Sequence, residues 1–356
     1  MNGEDPKPQT RLRAFAEGLS DVGLQREHNE DSYVVLKEYD LYVVADGMGG
    51  HRAGDVASKL ATETIGEFFR STATEDVTWP FHFDTNLSEE ENRLLTGIRV
   101  ANRQIFERSA RSREHHGMGT TVVGAMFSAE KQRMYIGHVG DSRCYRVRAG
   151  QIQQMTRDHS LINDYLLAMP DLTEEQKSEL PKNVITRALG MQDHVVVDIQ
   201  HDEPKSGDVY VLCSDGLSGM VEDEELEAII NAATSGQEAC RRLIQRANEH
   251  GGEDNITAVV IRVAPEGSEF LAEPPFAPLD VNGESPTVET RAYAGGTPAV
   301  PAPSPAASAH AKSIEQEESD DDLGARATDP GIGPTSQNSL ANAVRNAKAG
   351  VPDAKK

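Results

Sequence analysis

The chain has 356 residues, 37% of them hydrophobic, a formal net charge of -23 and a mean hydropathy of -0.52. That is enough apolar material for one good-sized domain, or two small ones, plus a polar extension, and so much acid would repel nucleic-acid phosphates, whose binding is driven largely by Lys and Arg. Neither a basic-then-apolar leader nor an apolar run of roughly eighteen residues is present, so neither export nor membrane insertion is expected, and the scattered Cys144, Cys213 and Cys240 suit a reducing cytoplasm.

Residues 1–13 read as a flexible N-terminus. Leu41 to Ala45 is an apolar, β-branched run of the kind that forms a strand. Helical spacing follows from Asp55 to Arg70 and from Ser88 to Ser109, the second opened by Ser88 and Glu91 as a capping box. Thr121 to Val123 and Met134 to Ile136 read as strands, and Cys144 to Val147 with Gln151-Ile152 beyond Ala149-Gly150 reads as a hairpin. A polar, partly helical insert occupies about 160–185. Beyond it, strands are expected at Val195 to Val197, Val209 to Leu212 and Ile256 to Ile261, with helices at Glu222 to Ala232 and Ser235 to His250. Ser235 and Glu238 form another capping-box pattern. Of 18 prolines, 12 fall after Ala264; with the acidic run Glu315 to Asp322, this marks 264–356 as a tail too poor in apolar residues to fold. The folded domain is expected over 14–263. Many strands in succession without a helix between each pair argue for antiparallel sheets with helices outside.

Five apolar runs end on acid: Glu30-Asp31, Asp46-Gly47, Gly140-Asp141-Ser142-Arg143, Ser214-Asp215-Gly216 and Asp254-Asn255. Each alone is an ordinary turn. If the strands lie side by side, however, these carboxylates meet, and like charges in one cleft stay ionised only when hard divalent cations neutralise them. All-oxygen ligands favour magnesium, manganese or calcium over zinc, and no His/Cys zinc spacing is present. Arg26, four residues before Glu30, is placed to grip a phosphate with its planar fork. The glycines of Asp46-Gly47-Met48-Gly49-Gly50 would let backbone approach metal and phosphate closely.

In this order, and joined by Gly119-Thr120-Thr121 and Ile185-Thr186-Arg187-Ala188-Leu189-Gly190, these motifs resemble those of the metal-dependent protein serine/threonine phosphatases of type 2C, in their bacterial form. The resemblance runs from about Phe15 to Val263. It implies an α/β (α+β) fold, a four-layer αββα sandwich of two mostly antiparallel sheets flanked by helices, with a binuclear metal site at one edge. It further implies two manganese or magnesium ions and a third, weaker one. Asp46 would bridge the pair, with the Gly47 carbonyl and Glu30 on one ion and Asp215 and Asp254 on the other. Asp31 would act through metal-bound water, Arg26 would bind the phosphate, and Asp141 with Asp215 would hold the third ion.

Eukaryotic members carry His where this chain has Met48, so the proton for the leaving group is expected from metal-bound water, His51 or His159. The insert at 160–185 stands where the family has its flap. The resemblance also implies phosphoprotein substrates, a cognate serine/threonine kinase and a monomer. A phosphatase dedicated to one anti-anti-sigma-type regulator, or a pseudophosphatase that binds phosphoproteins without turnover, are the alternative readings.

Overall fold

The computed structural model describes residues 11–49, 53–73, 83–173, 176, 180–181 and 184–268. These belong to a compact unit, Met1–Ala277; the second unit, Pro278–Lys356, lies outside the described residues, as do His51, parts of the insert and residues 1–10.

The chain runs β1 (Leu12–Asp21), β2 (Asp31–Leu36), β3 (Leu41–Met48), α1 (Ala53–Ser71), α2 (Glu89–Arg111), β4 (Gly119–Thr120), β5 (Val122–Ser128), β6 (Arg133–Val139), β7 (Arg143–Arg148), β8 (Gln151–Gln154), α3 (Leu161–Ala168), β9 (Asp198–Asp202), β10 (Val209–Cys213), α4 (Asp215–Ser218), α5 (Asp223–Ala232), α6 (Gly236–Glu249) and β11 (Ile256–Pro265). One sheet has the order β1-β11-β10-β7-β8; the other has β2-β3-β5-β6-β9 with β4 paired to β3. Every pairing is antiparallel.

Three apolar layers explain why the central strands read as continuous hydrophobic runs. In β3, Leu41, Val43 and Ala45 pack under α1 and α2 with Ile65, Phe69, Leu94 and Ile98. The alternate residues Tyr42 and Val44 face the other sheet, meeting Tyr210, Leu212, Val259 and Ile261. The outer face of that second sheet, with Val211, Cys213, Ala258 and Val260, is covered by Leu226, Ile230, Leu243 and Ile244 of α5 and α6. A sheet covered on both faces has no polar side to show, whatever its strand direction. Each large side chain so enclosed contributes roughly 1.5–3 kcal/mol relative to exposure.

Helix α2 has the expected capping box: Ser88 Oγ accepts from Glu91 N at 3.2 Å and Glu91 Oε2 accepts from Ser88 N at 2.8 Å. At α6 only half of it forms. Ser235 Oγ accepts from Glu238 N, but the Glu238 carboxylate reaches past the cap to Thr234 N and Oγ1. Other expectations shift as well. The ladder strand near 195–197 lies at Asp198–Asp202, because Val195 and Val197 are used to pack on the helix-side core. Strand β1, with no β-branched residue, exists through its ten-residue register with β11.

Candidate metal and phosphate site

The acidic residues come from both sheets and converge at one end of the sandwich. Register alone brings two together, since Asp31 at the start of β2 pairs with Asp46 near the end of β3. Asp141 occupies the turn from β6 to β7, Asp215 opens α4 directly after β10, and Asp254 stands two residues before β11. Asp31 is the link between the sheets: its Oδ2 accepts from Ser214 Oγ and Thr257 Oγ1, both at 2.7 Å. Asn255 fastens the β1–β2 loop, donating to the carbonyls of Val22 and His28 at 2.9 Å and accepting from Glu30 N at 2.7 Å. That loop carries Arg26 and Glu30.

The connecting motifs hold Asp46 in place. Its carbonyl accepts from Thr120 Oγ1 and Thr121 N at 2.8 Å, its amide donates to Thr121 Oγ1 at 3.2 Å, and Thr121 Oγ1 is bonded in turn to Ser142 Oγ at 2.7 Å. Leu189 exchanges two backbone bonds with Thr120, which brings the 185–190 motif against the same strand. Gly47 and Gly54 allow the opening of α1 to touch β3: a Cβ on Gly47 would lie 2.1 Å from the Gly54 carbonyl oxygen.

Electrostatics singles this end out. Burial, followed by the charges of Asp31, Asp215 and Asp254, pushes the Asp46 carboxyl well above the usual range. Burial first, then like charges against the two hydroxyl bonds, moves Asp31 to about 7. Burial and Asp215 move Asp141 to about 7, while burial also raises Asp215 and Glu30. Asp31 Oδ1, Asp141 Oδ1 and Asp215 Oδ1 are buried with no hydrogen-bond partner among the described residues. A buried acceptor left unpaired costs about 1–3 kcal/mol, and such carboxylate oxygens are what a hard cation would satisfy. The donor set therefore fits oxygen-ligated divalent ions.

Asp141, Asp215 and Asp254 line a cleft of about 880 Å³ together with Arg26, Arg143 and Arg157. Arg26 bonds Asp254 Oδ2 at 2.7 Å. Arg143 is held more firmly, by a two-pronged bond to Asp158 and one to the Tyr145 hydroxyl. Asp158 is a site residue that motif reading passed over; its signal is an acid buried beside His159.

His159, one of the three expected proton sources, is placed away from the cleft. His159 is buried, is not among the cleft-lining residues, and turns Nδ1 to Gly140 N at 3.0 Å and Nε2 to Asp198 at 3.3 Å. Burial and neighbouring His138 and Arg187 lower it to about 4, so it carries no spare proton near neutrality. His51 lies outside the described residues.

The family model for protein phosphatase 2C matches residues 25–258. The chain belongs to the protein phosphatase 2C family. Serine/threonine phosphatase stp of Listeria welshimeri is 37% identical over 250 residues, 69% of this chain and 94% of that protein. The crystal structure of Mycobacterium tuberculosis PstP/Ppp superposes with a TM-score of 0.59 at 33% identity, covering 70% of this chain and 98% of that one. The PstP catalytic domain in complex with two manganese ions gives 0.60 at 32% identity, covering 71% and 99%. The sandwich of two antiparallel sheets between helices is thus the protein phosphatase 2C fold, and the acidic motifs fall within the matched span. Among the described residues no helix is long and apolar enough to cross a membrane.

Proposed function

We propose that this chain is a metal-dependent protein phosphatase that hydrolyses phosphoserine and phosphothreonine, with its centre at the carboxylate cluster. The observation that carries the reading is the convergence of Asp31, Asp46, Asp141 and Asp215, all with raised carboxyls and three with an unpartnered buried oxygen. Among the described residues, Arg26 at the rim acts on Asp215, and Arg143, already held by Asp158, acts on Asp141, yet both carboxyls stay raised, so the site suits manganese or magnesium. Asp46, Gly47, Glu30, Asp215 and Asp254 would hold two ions, and Asp141 with Asp215 a third, weaker one. When bound, such ions neutralise the carboxylates and supply Lewis acidity that activates water for in-line attack on phosphorus.

The residues themselves do the rest. Ser214 and Thr257 hold one oxygen of Asp31 and leave the other buried without a partner among the described residues. Asn255 positions the loop that presents Glu30 and Arg26. Arg26 is half-exposed at the cleft mouth, where an arriving phosphate competes with Asp254 for its guanidinium. Both nitrogens of His159 are turned elsewhere, so His159 is not placed to protonate the leaving alkoxide, and solvent in the cleft would supply that proton. Phosphoproteins are the substrates, and a serine/threonine kinase is the enzyme it would oppose. The three cysteines are free and buried, which fits a reducing cytoplasm.

The direct test is release of inorganic phosphate from a phosphothreonine peptide. Turnover is expected with manganese, absent with chelator, and lost in a folded Asp46→Asn variant; turnover that survives chelation would end this reading.

A further inference from the structure

Behind the carboxylates, two buried histidines lie face to face. The rings of His138 and His159 are 4.6 Å apart and inclined by 17°. Their donor atoms and those of Asp198 fall within 4.8 Å of one another, close enough to hold a metal ion. Hydrogen bonding assigns them other work. His159 Nδ1 accepts the Gly140 amide at 3.0 Å, so the single proton of the neutral ring is on Nε2, facing Asp198 Oδ2 at 3.3 Å. A cation on that nitrogen would need a ring stripped of both protons, and Asp198 is already engaged by Arg187 at 2.7 Å. His138 spends its Nε2 proton on the Arg157 carbonyl at 2.8 Å.

What His159 holds is the turn that carries Asp141. Its ring accepts the Gly140 amide, and its own amide donates to the Gly140 carbonyl at 2.9 Å. Gly140 has φ +110°, and a Cβ there would lie 2.6 Å from Thr121 Cβ, so this position has no side chain of its own to anchor it, and the side-chain bond of the turn to Thr121 comes from Ser142 at its other end. The next residue is Asp141, with its buried, unpartnered Oδ1. On its other side, His159 accepts from Thr186 N at 2.8 Å, while Leu161 N donates to Val184 O at 2.8 Å. Both roots of the 160–185 insert are therefore tied at this residue.

We propose that His159 is a positioning residue that sets the Gly140–Asp141 turn through Nδ1 and so fixes the affinity of the weak third cation site; this rests on the ligand set assigned above. The two ring edges can be separated by substitution. His159→Asn places an acceptor where Nδ1 stands and lacks the Nε2 edge, whereas His159→Gln reaches toward Asp198 without an acceptor for Gly140.

Manganese uptake by chelator-treated full-length protein, followed by calorimetry, reads the tight and weak classes of site separately. His159→Gln should weaken the weak class at least about tenfold, His159→Asn should stay within about threefold of wild type, and both should keep the tight class. Equal weakening in both variants, no weakening in His159→Gln, or equal loss from the tight class would overturn the proposal. Should His159→Gln fail to fold, Asp198→Ala at the partly exposed end of the relay replaces it. Removing the carboxylate charge that faces Nε2 at 3.3 Å should weaken the weak class by about threefold, and unchanged affinity would again overturn it. Asp141→Asn separates the two levels of the claim. If it leaves the weak class intact, the ligand set falls and the role of His159 with it; if it removes that class while His159→Gln does not, the role of His159 alone falls.

Discussion

Asp202 and Asp46 are both aspartates enclosed by the sandwich, yet their carboxyls move in opposite directions. Asp202 lies at the far end of the strands, opposite Met134 of β6 and near Tyr210 of β10. Burial raises it too, but the Tyr210 hydroxyl and Arg146 and Arg148 outweigh burial and hold it below the usual carboxylate range. Arg148 also grips Asp208 at 2.6 Å. At the other end of β6 and β10, Asp46, Asp141 and Asp215 have carboxylates for neighbours and are pushed up. The same residue type is a structural ion pair where the chain supplies the cation and, under the proposed function, a metal ligand where like charges outweigh it. Local charge balance separates the two roles, because burial is common to both.

The largest effect expected from that contrast is on turnover. Asp46→Asn should lower metal-dependent phosphate release by on the order of a thousandfold, several kcal/mol of charge stabilisation, while the melting temperature in chelator stays level or rises because a strained carboxyl has gone. Next comes the far end. Asp202→Ala leaves Arg146, Arg148 and the Tyr210 hydroxyl without their shared acceptor and should destabilise folding by about 3 kcal/mol in denaturant titration, with turnover per folded molecule preserved. If instead it left stability unchanged and lowered turnover, the division between a structural end and a binding end would be wrong.

A smaller effect should appear in pH. Asp31 and Asp141 have folded pKa values of about 7 against 3.8 ordinarily, so the folded state holds these protons more tightly than the unfolded state. The metal-free protein should therefore lose stability as pH climbs from about 4 to about 7, and saturating manganese should flatten that slope. Melting temperatures across this range, with and without metal, check the sign.

Much of this was legible in the chain, and what was not has a physical reason. Acid at the ends of apolar runs marks strands that finish in one place, and the motif order placed Asp46, Asp141, Asp215 and Asp254 in one site. Their convergence depends on register, however, and register is a long-range property: Asp31 faces Asp46 only because β2 and β3 pair as they do, and Ser214 and Thr257 reach Asp31 from the other sheet. Strand β1 has little intrinsic β preference and is legible only from its partner β11. His159 stands among the expected proton sources, beside His51 and metal-bound water, because histidine is a common proton donor, but the chain does not reveal which backbone amide its Nδ1 meets.

The most direct test of the central claim is the number of manganese ions bound at neutral pH by chelator-treated wild type and by Asp46→Asn. Two tightly held ions in wild type, with at least one lost in the folded variant, is the result this structure predicts. No uptake by wild type, or the same uptake by both proteins, would contradict it.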